Sequence, residues 1–237
     1  MGTVSATLNG TARVSEKLAR RVRLAVSRVG YSPDGVAQSL RLGRTRTIGL
    51  VVSDVCNPFF ASLSRSVEAA AESAGYALIL CNTDEDPERE LRLLSVLQMQ
   101  RVAGFIFSPS GVDKRYRERL VRLAGPPAPP AVLVDRTLPG LPFDAVTVDN
   151  REAGRLATEH LIRLGHRRIA IVSGRAGVLT AEERLAGYRE SLARHRLASD
   201  ESLVVTANFR AETAQAAVQR LLARPRLPTA ILAANNP

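Results

Sequence analysis

Hydrophobic and polar positions along the chain follow two periodicities in turn, and these predict helices and strands in a regular order. After Ser15, a candidate helix cap, apolar side chains recur at helical spacing as far as Val29. From Thr47 onward, short apolar runs alternate with segments of helical spacing. The apolar runs predict strands at residues 47–52, 76–81, 102–107, 131–135, 145–148, 168–173, 202–206 and 229–234.

The segments between these strands carry helix signals at their ends. Asp86 and Pro87 fit the cap and first position of one helix, and Thr180 with Glu183 predicts a capping box at another. Further helices are predicted at residues 59–74, 113–124, 151–164 and 211–224. Alternating strands and helices are typical of parallel sheets with helices on both faces, so the predicted fold class is α/β.

The same pattern divides the chain into three predicted regions. Residues 1–46 are helical and basic, with a second, short helix expected at 36–42, whereas residues 47–149 and 150–237 each hold one series of strands and helices. The second series is shorter and ends at AANNP, where a strand normally leads into another helix. The sequence therefore predicts a second lobe that is incomplete.

Positive charge is concentrated near the amino terminus. The chain carries a formal net charge of +10, and residues 1–47 account for +7 of it, with nine basic and two acidic side chains. Such a concentration favours contact with a polyanion, because each neutralised phosphate releases condensed counterions. The alternative is a solvated helix face without a partner.

Other features of the sequence narrow the function. We expect a cytoplasmic protein, because no apolar run has membrane-spanning length and the amino terminus lacks the apolar segment of a signal peptide. Cys56 and Cys81 are too few for a disulfide framework and are not spaced as a metal site. Because the sequence lacks the motifs of nucleophile elbows, phosphate loops and zinc proteases, we predict a protein without a cofactor that is not an enzyme.

Several motifs occur in an order and spacing that resemble one known family. They are TVSATLNG (3–10), GYSPDGVAQSLRLGRTRTIGLVVSD (30–54), NPFF (57–60), LCNTDEDPERE (80–90), QRVAGFI (100–106), VDNREAGRLATEHLIRLGHRRIAIVSG (147–174), ERLAGY (183–188) and ILAANN (231–236). Together they are similar to the lactose-repressor (LacI/GalR) family of bacterial transcription regulators. The resemblance implies a helix-turn-helix headpiece, a hinge helix and a two-lobed, periplasmic-binding-protein-like core that dimerises.

The resemblance also implies which residues would contact operator DNA. TVSATLN resembles the recognition helix, which enters the major groove, and VAQSLRL resembles the hinge helix, in which Leu40 would wedge into the minor groove. Only Met1 and Gly2 precede the recognition helix where the family has a first helix, so a partial headpiece is expected. The predicted DNA-binding residues are Thr3, Ser5, Ala6, Asn9, Val36, Ser39, Leu40 and Arg41.

By the same resemblance, a small-molecule effector, sugar-like in character, is expected in the cleft between the lobes, at the carboxyl ends of the strands. The predicted ligand-binding residues are Phe59, Phe60, Arg101, Asp149, Glu152, Arg184 and Asn235. Structural alternatives stay open for most of them. Phe59 could begin the apolar stripe of a helix, and Arg184 could pair with a neighbouring glutamate. Asp149, Glu152 and Arg101 could instead stabilise helix ends.

The leading functional hypothesis is a ligand-responsive DNA-binding regulator, most simply a repressor. An effector would shift the lobes between two arrangements, only one of which places paired hinge helices at operator spacing. The expected partners are operator DNA, a sugar-like effector and a second copy of the chain. Two alternatives stay open: a small-molecule-binding protein of the same fold without a DNA task, and a non-functional fragment.

Overall fold

The computed structural model describes residues 3–9, 13–29, 45–207 and 211–235, with the side chains of residues 5, 8, 9, 211 and 212 left out of the description. The chain divides into two compact units, Met1–Thr45 and Arg46–Pro237. None of the helices within the described ranges is long and apolar enough to cross a membrane. Every predicted strand is present, with ends shifted by no more than two residues.

The first unit contains two helices, α1 (Thr3–Asn9) and α2 (Glu16–Arg28), which contact each other. Ala6 of α1 is only 5% exposed, whereas α2 buries none of its residues completely and keeps Val22 and Val26 half-buried. The predicted α2 helix is confirmed. Ser15 is the N-cap residue, as predicted, but its side chain makes no capping bond; its carbonyl accepts from the N–H groups of Leu18 and Ala19 at 3.0 and 2.9 Å.

The second unit begins with a five-stranded parallel sheet, the centre of lobe 1. Its strands are β1 (Thr47–Val52), β2 (Ala77–Asn82), β3 (Gly104–Phe107), β4 (Ala131–Val134) and β5 (Asp144–Val146), in the spatial order β2-β1-β3-β4-β5. Its helices are α3 (Pro58–Ser73), α4 (Pro87–Met99) and α5 (Lys114–Ala124).

Lobe 1 buries both faces of its sheet. Successive residues of β1 point to opposite faces, so Leu50 and Val52 pack with Phe60 of α3 while Val51 packs with the leucines of α4 and α5. This double burial explains why β1 reads as a continuous apolar run. Because all five strands run parallel, their carboxyl ends lie at the same edge of the lobe.

The helix starts in lobe 1 follow directly from the sequence. The Asp86 carboxylate accepts a hydrogen bond from the Glu88 N–H at 2.8 Å, and Pro87 occupies the first helical position. This confirms the predicted cap of α4. Asn57 and Pro58 play the same roles for α3, with a bond of 3.0 Å from the Phe59 N–H.

Lobe 2 is a smaller parallel sheet of three strands in the order β7-β6-β8. Its elements are α6 (Asn150–Arg163), β6 (Ile169–Ser173), α7 (Leu179–Arg194), a 3-10 turn (Glu201–Leu203), β7 (Val204–Thr206), α8 (Ala211–Leu222) and β8 (Ala230–Ala233). All positions of the central strand β6 are buried. Apolar clusters lie on both of its faces, one against α6 and α7 and the other against α8.

Helices α6 and α7 approach each other at backbone distance. A Cβ atom added at Gly187 would lie 2.0 Å from the Arg151 carbonyl oxygen, and one added at Gly154 would lie 2.2 Å from the Arg184 carbonyl oxygen. The Ser191 hydroxyl adds a hydrogen bond of 3.1 Å to the Arg155 carbonyl. This packing fixes the position of α7, and with it the backbone of Arg184.

The predicted capping box of α7 is wrong. The helix begins two residues earlier than predicted, after Val178, which has no side-chain acceptor. Thr180 is therefore already inside the helix, where its side chain is buried. The Glu182 carboxylate accepts from the Gly177 N–H at 2.8 Å instead.

Candidate ligand-binding cleft

A cavity of about 310 Å³ lies between the two lobes, beside the carboxyl end of β4. This volume is at the lower end of the range typical of small-molecule sites. Lobe 1, lobe 2 and the segment 147–149 that connects β5 to α6 all contribute to its wall. The lining residues are Asp135, Thr137, Thr147, Val148, Asp149, Asn150, Leu179 and Glu183.

The carboxyl end of β4 holds two adjacent buried charges. The side chains of Asp135 and Arg136 are 10% and 7% exposed, and Asp135 takes a left-handed backbone conformation with φ of 67°. The Arg136 guanidinium forms two parallel hydrogen bonds to the Glu85 carboxylate, at 2.7 and 2.6 Å. This paired arrangement is the strongest geometry between these groups, and it orients Arg136 firmly.

Burial and neighbouring charges act against each other at this point. Burial raises the pKa of Asp135, while the positive charges of Arg136 and Arg184 oppose that rise. Burial alone would lower the pKa of Arg136, but the ion pair with Glu85 outweighs it and the pKa is raised. Arg136 therefore stays charged, and Asp135 is a desolvated carboxylate that can accept hydrogen bonds from a ligand.

Arg184 of α7 lies beside the cavity on lobe 2. Its Nε donates to the Asn150 side-chain oxygen at 2.8 Å, and its Nη1 donates to the Ala234 carbonyl, also at 2.8 Å. Burial lowers the pKa of Arg184, and the charge of Asp135 opposes this. A carboxylate on lobe 1 and a guanidinium on lobe 2 thus interact electrostatically from opposite sides of the cleft.

Asp149 directly precedes α6 and Asn235 follows β8, and both were predicted as ligand-binding residues. Asp149 lines the cavity, and its carboxylate also caps α6 by accepting from the Glu152 N–H at 2.8 Å. Asn235 is half-buried and follows β8, directly after the Ala234 carbonyl that binds Arg184. Their roles toward a ligand stay predictions.

Two predicted ligand residues lie away from the cavity. The Glu152 carboxylate pairs with Arg155, one turn later on the surface of α6. Arg101 lies between the end of α4 and the start of β3, at the amino-terminal edge of the sheet and opposite the cleft. A cleft role does not fit either position, because helix periodicity turns Glu152 outward and strand direction carries Arg101 to the far edge.

The two phenylalanines of NPFF are buried to different degrees. Phe60 is 3% exposed and packs against Leu50 and Val52, while Phe59 is half-buried with its ring edge-on to Phe60 at 5.1 Å. Phe60 therefore serves the core of lobe 1. Contact of either ring with a ligand stays a prediction.

Three loops meet beside the cavity and enclose only about 10 Å³ of free volume. Two belong to lobe 1, residues 109–112 after β3 and residues 136–138 after β4, and the third is residues 177–179 of lobe 2. The lobes are therefore in direct contact at this point, through the ends of the strands that line the cleft.

The described part of the first unit bears on the predicted DNA-binding residues. Thr3 is exposed on α1, whereas Ala6 is buried, so direct DNA contact by Ala6 does not fit its position. Ser5 and Asn9 belong to α1, but their side chains lie outside the description, as do Val36, Ser39, Leu40 and Arg41 entirely. The cationic side chains of α2 are exposed: Lys17, Arg20, Arg21, Arg23 and Arg28.

Asp135, Arg136 and Glu85 were not predicted from the sequence as site residues. One signal was available, because Asp135 directly follows the apolar strand AVLV and so stands at the carboxyl end of a buried parallel strand. No such signal exists for Glu85, which the fold alone brings to Arg136. Within the described ranges, no group of three or more His, Cys, Asp or Glu side chains could hold a metal ion.

Two lobes of parallel sheet with a polar cavity between their strand ends define a binding protein of the periplasmic-binding-protein class. Residues 45–237 match the model of the "periplasmic binding proteins and sugar binding domain of LacI family". The chain belongs to the LacI family of transcriptional regulators, which confirms the family and the two-lobed fold predicted from the sequence.

Individual relatives agree with this assignment. The ribose operon repressor of Escherichia coli (strain K12) is 34% identical over 238 residues, covering 99% of this chain and 70% of the relative. The solved complex of the transcriptional regulator CelR with cellobiose is 32% identical, with a TM-score of 0.67 over 98% of this chain and 69% of that one. The Lac repressor dimer bound to operator and an anti-inducer is 24% identical and supports the fold, with a TM-score of 0.85 over 99% and 69%.

Proposed function

We propose that this chain is a ligand-responsive transcriptional repressor whose effector binds between the lobes. In this proposal residues 1–46 serve DNA binding, residues 47–149 form the first lobe of the effector core, and residues 150–237 form the second. The observation that carries the proposal is the interlobe cavity, which Asp135 of one lobe lines and beside which Arg184 of the other lobe is bonded to the lining residue Asn150.

The chemistry of the cavity favours a polyhydroxylated, sugar-like effector. The Asp135 carboxylate can accept bonds from two hydroxyl groups, and the threonine hydroxyls of the wall can both donate and accept. The solved complex of the relative CelR contains a disaccharide, cellobiose. We propose that the chain binds such a ligand without converting it.

Effector binding would act on DNA through the contact between the lobes. A ligand that bonds to both lobes stabilises the arrangement in which they are closest, at the expense of others. Exposed cations on α2 supply the charge that attracts phosphate, and exposed Thr3 is available on α1 for contact with operator DNA. A repressor of genomic DNA would act in the cytoplasm.

A second copy of the chain is the proposed protein partner. Strand β2 is an edge of the lobe 1 sheet, and it exposes Ile79 by 38% and Leu80 by 47%. An apolar edge strand is a surface that proteins normally cover. Paired copies would also place two DNA-binding units on the two halves of a palindromic operator.

The test combines DNA selection with a sugar panel. The full chain would select duplexes from a random-sequence pool, and its affinity for the selected sequence would be measured at two salt concentrations with and without D-ribose, cellobiose and other common sugars. The proposal predicts steep salt dependence and a change of affinity with at least one sugar. A chain that selects no sequence, or whose DNA affinity responds to none of the sugars, would contradict it.

A further inference from the structure

A glutamate is buried behind the cleft in lobe 1. Glu90 lies on α4 and is fully buried. One of its carboxylate oxygens accepts from the Ser110 backbone N–H at 2.7 Å, and the other accepts from the Tyr116 hydroxyl of α5. Both oxygens are thus engaged, one of them by the loop that follows β3.

That loop has little freedom to move. The Ser110 hydroxyl shares a hydrogen bond of 3.0 Å with the Thr83 hydroxyl. At Gly111 the backbone lies against the ring of Tyr116, since a Cβ atom there would be 2.5 Å from the ring Cγ. Glu90 and Tyr116 together therefore hold the loop in place from the interior of the lobe.

The opposite side of the same loop meets lobe 2. Residues 109–112 border residues 177–179 of lobe 2 in the contact that encloses about 10 Å³. Thr137 and Leu179 belong both to this contact and to the wall of the 310 Å³ cavity, so a change in the position of residues 109–112 reaches the cleft through them.

We propose that Glu90 is a positioning residue of the cleft, which fixes through Ser110 the surface of lobe 1 against which residues 177–179 of lobe 2 close. This inference rests on the proposed effector function, since it concerns the closure that an effector would stabilise. It assigns a role to a residue that touches neither the cavity nor any proposed ligand.

The role of Glu90 depends on its protonation. The groups that face it are Tyr116 from α5, Ser110 from the loop and Arg136 from the end of β4, which is itself paired with Glu85. Burial raises the pKa of Glu90 to about 7, against the opposing effect of these hydrogen bonds and of the Arg136 charge. An ionised carboxylate holds the Ser110 N–H more strongly than a neutral acid, so the loop is held more firmly above neutral pH than below it.

The first test follows the Ser110 amide by NMR in the 15N-labelled full chain between pH 5.5 and 8.5. In the wild type its chemical shift should titrate with a midpoint near pH 7. Glu90→Gln should abolish the titration, because the amide side chain still accepts from Ser110 but does not ionise. Tyr116→Phe should move the midpoint to higher pH, since it removes a donor to the ionised form.

Glu88→Gln is the matched control on the same helix. Glu88 is exposed and pairs with Arg119, so this variant should titrate at Ser110 as the wild type does. A wild-type Ser110 amide that does not titrate in this range would overturn the proposal, as would a titration that survives in Glu90→Gln.

The second test measures whether the loop is coupled to lobe 2. Amide hydrogen exchange at residues 109–112 and 177–179 should both accelerate by about tenfold in Glu90→Leu, which removes a charge-assisted hydrogen bond. If Glu90→Leu does not fold, Tyr116→Phe supplies the same comparison with a smaller acceleration. Faster exchange at 109–112 with unchanged exchange at 177–179 would overturn the coupling.

These measurements need no effector, so they separate the two proposals. A chain that binds no sugar but shows the predicted Ser110 titration and the coupled exchange contradicts the proposed function and supports the loop-fixing role of Glu90. A chain that responds to a sugar but whose Ser110 does not titrate contradicts the role of Glu90 alone.

Discussion

The two lobes share one α/β plan but place their charges differently. Lobe 1 has exposed ion pairs, such as that of Glu88 with Arg119, but it also buries Arg136 and Glu90 beside and behind the cleft. In lobe 2, several ion pairs lie on the helix surface, where the side chains of Arg151 and Arg194 are 61% and 63% exposed. Lobe 1 therefore removes two charged side chains from water, whereas the ion pairs on the helices of lobe 2 stay largely in contact with it.

This difference indicates which charged side chains hold the loops of the cleft in position. Exposed ion pairs contribute little, because water and salt screen them. Buried charges are costly unless they are paired and hydrogen-bonded, and those of lobe 1 are paired in a way that fixes loops at the strand ends. Lobe 2 relies instead on close backbone packing of α6 and α7 to place Arg184.

The largest expected effect comes from breaking the buried pair in lobe 1. Arg136→Met should destabilise the protein by about 3–5 kcal/mol, because it leaves the carboxylates of Glu85 and Asp135 without their partner. Urea unfolding would measure the loss. The control, Arg194→Met on the surface of lobe 2, should leave the midpoint almost unchanged. Equal losses for both variants would remove the distinction between the lobes.

A second effect tests the packing of lobe 2. Gly187→Ala should cost roughly 3 kcal/mol, because its Cβ would meet the backbone of α6 and force the helices apart. Ala153→Ser, at an exposed position of α6, should be nearly neutral in the same thermal or urea unfolding experiment. A stable Gly187→Ala variant would show that α7 is not held by this contact.

A third, smaller effect is a pH dependence that originates in lobe 1. Folded Glu90 keeps its proton up to about pH 7, whereas its ordinary pKa is 4.5. Its contribution to the global free energy of unfolding is therefore present at low pH and is lost as the pH rises through 7, because the desolvation cost of the ionised carboxylate exceeds the gain from its stronger hydrogen bonds. Between pH 5 and 8 the wild type should lose about 2–3 kcal/mol more than Glu90→Gln. Parallel pH profiles of unfolding for the two proteins would contradict the assignment.

Much of the fold could be predicted from the sequence, because the apolar patterns and helix-start residues of these segments match the elements that they form. The apolar run of β1 and the Asp86–Pro87 start of α4 were predicted and are present. The start of α7 was predicted two residues late, because Thr180 and Glu183 have the spacing of a capping box. Nothing in the local sequence shows that Thr180 would lie inside the helix and be buried.

The candidate site was harder to predict, because burial of charge is decided by the fold. The position of Asp149 was predicted, but Glu85 and Arg136 lie 51 residues apart and meet only because β2 and β4 end at the same edge. Glu90 did carry a signal, since it shares the apolar face of α4 with Leu94 and Leu97. A charged residue on that face indicates a buried polar contact.

In the proposed function the two lobes bind one effector through Asp135 of lobe 1 and Arg184 of lobe 2. Calorimetric titration of the full chain with whichever sugar of the panel alters DNA binding tests this most directly. Asp135→Asn and Arg184→Lys should each weaken binding by at least about tenfold, since the first removes a charged acceptor and the second removes the forked guanidinium donor. Arg194→Lys, on the same helix as Arg184, should bind as the wild type does. Wild-type affinity in both cleft variants would contradict the claim.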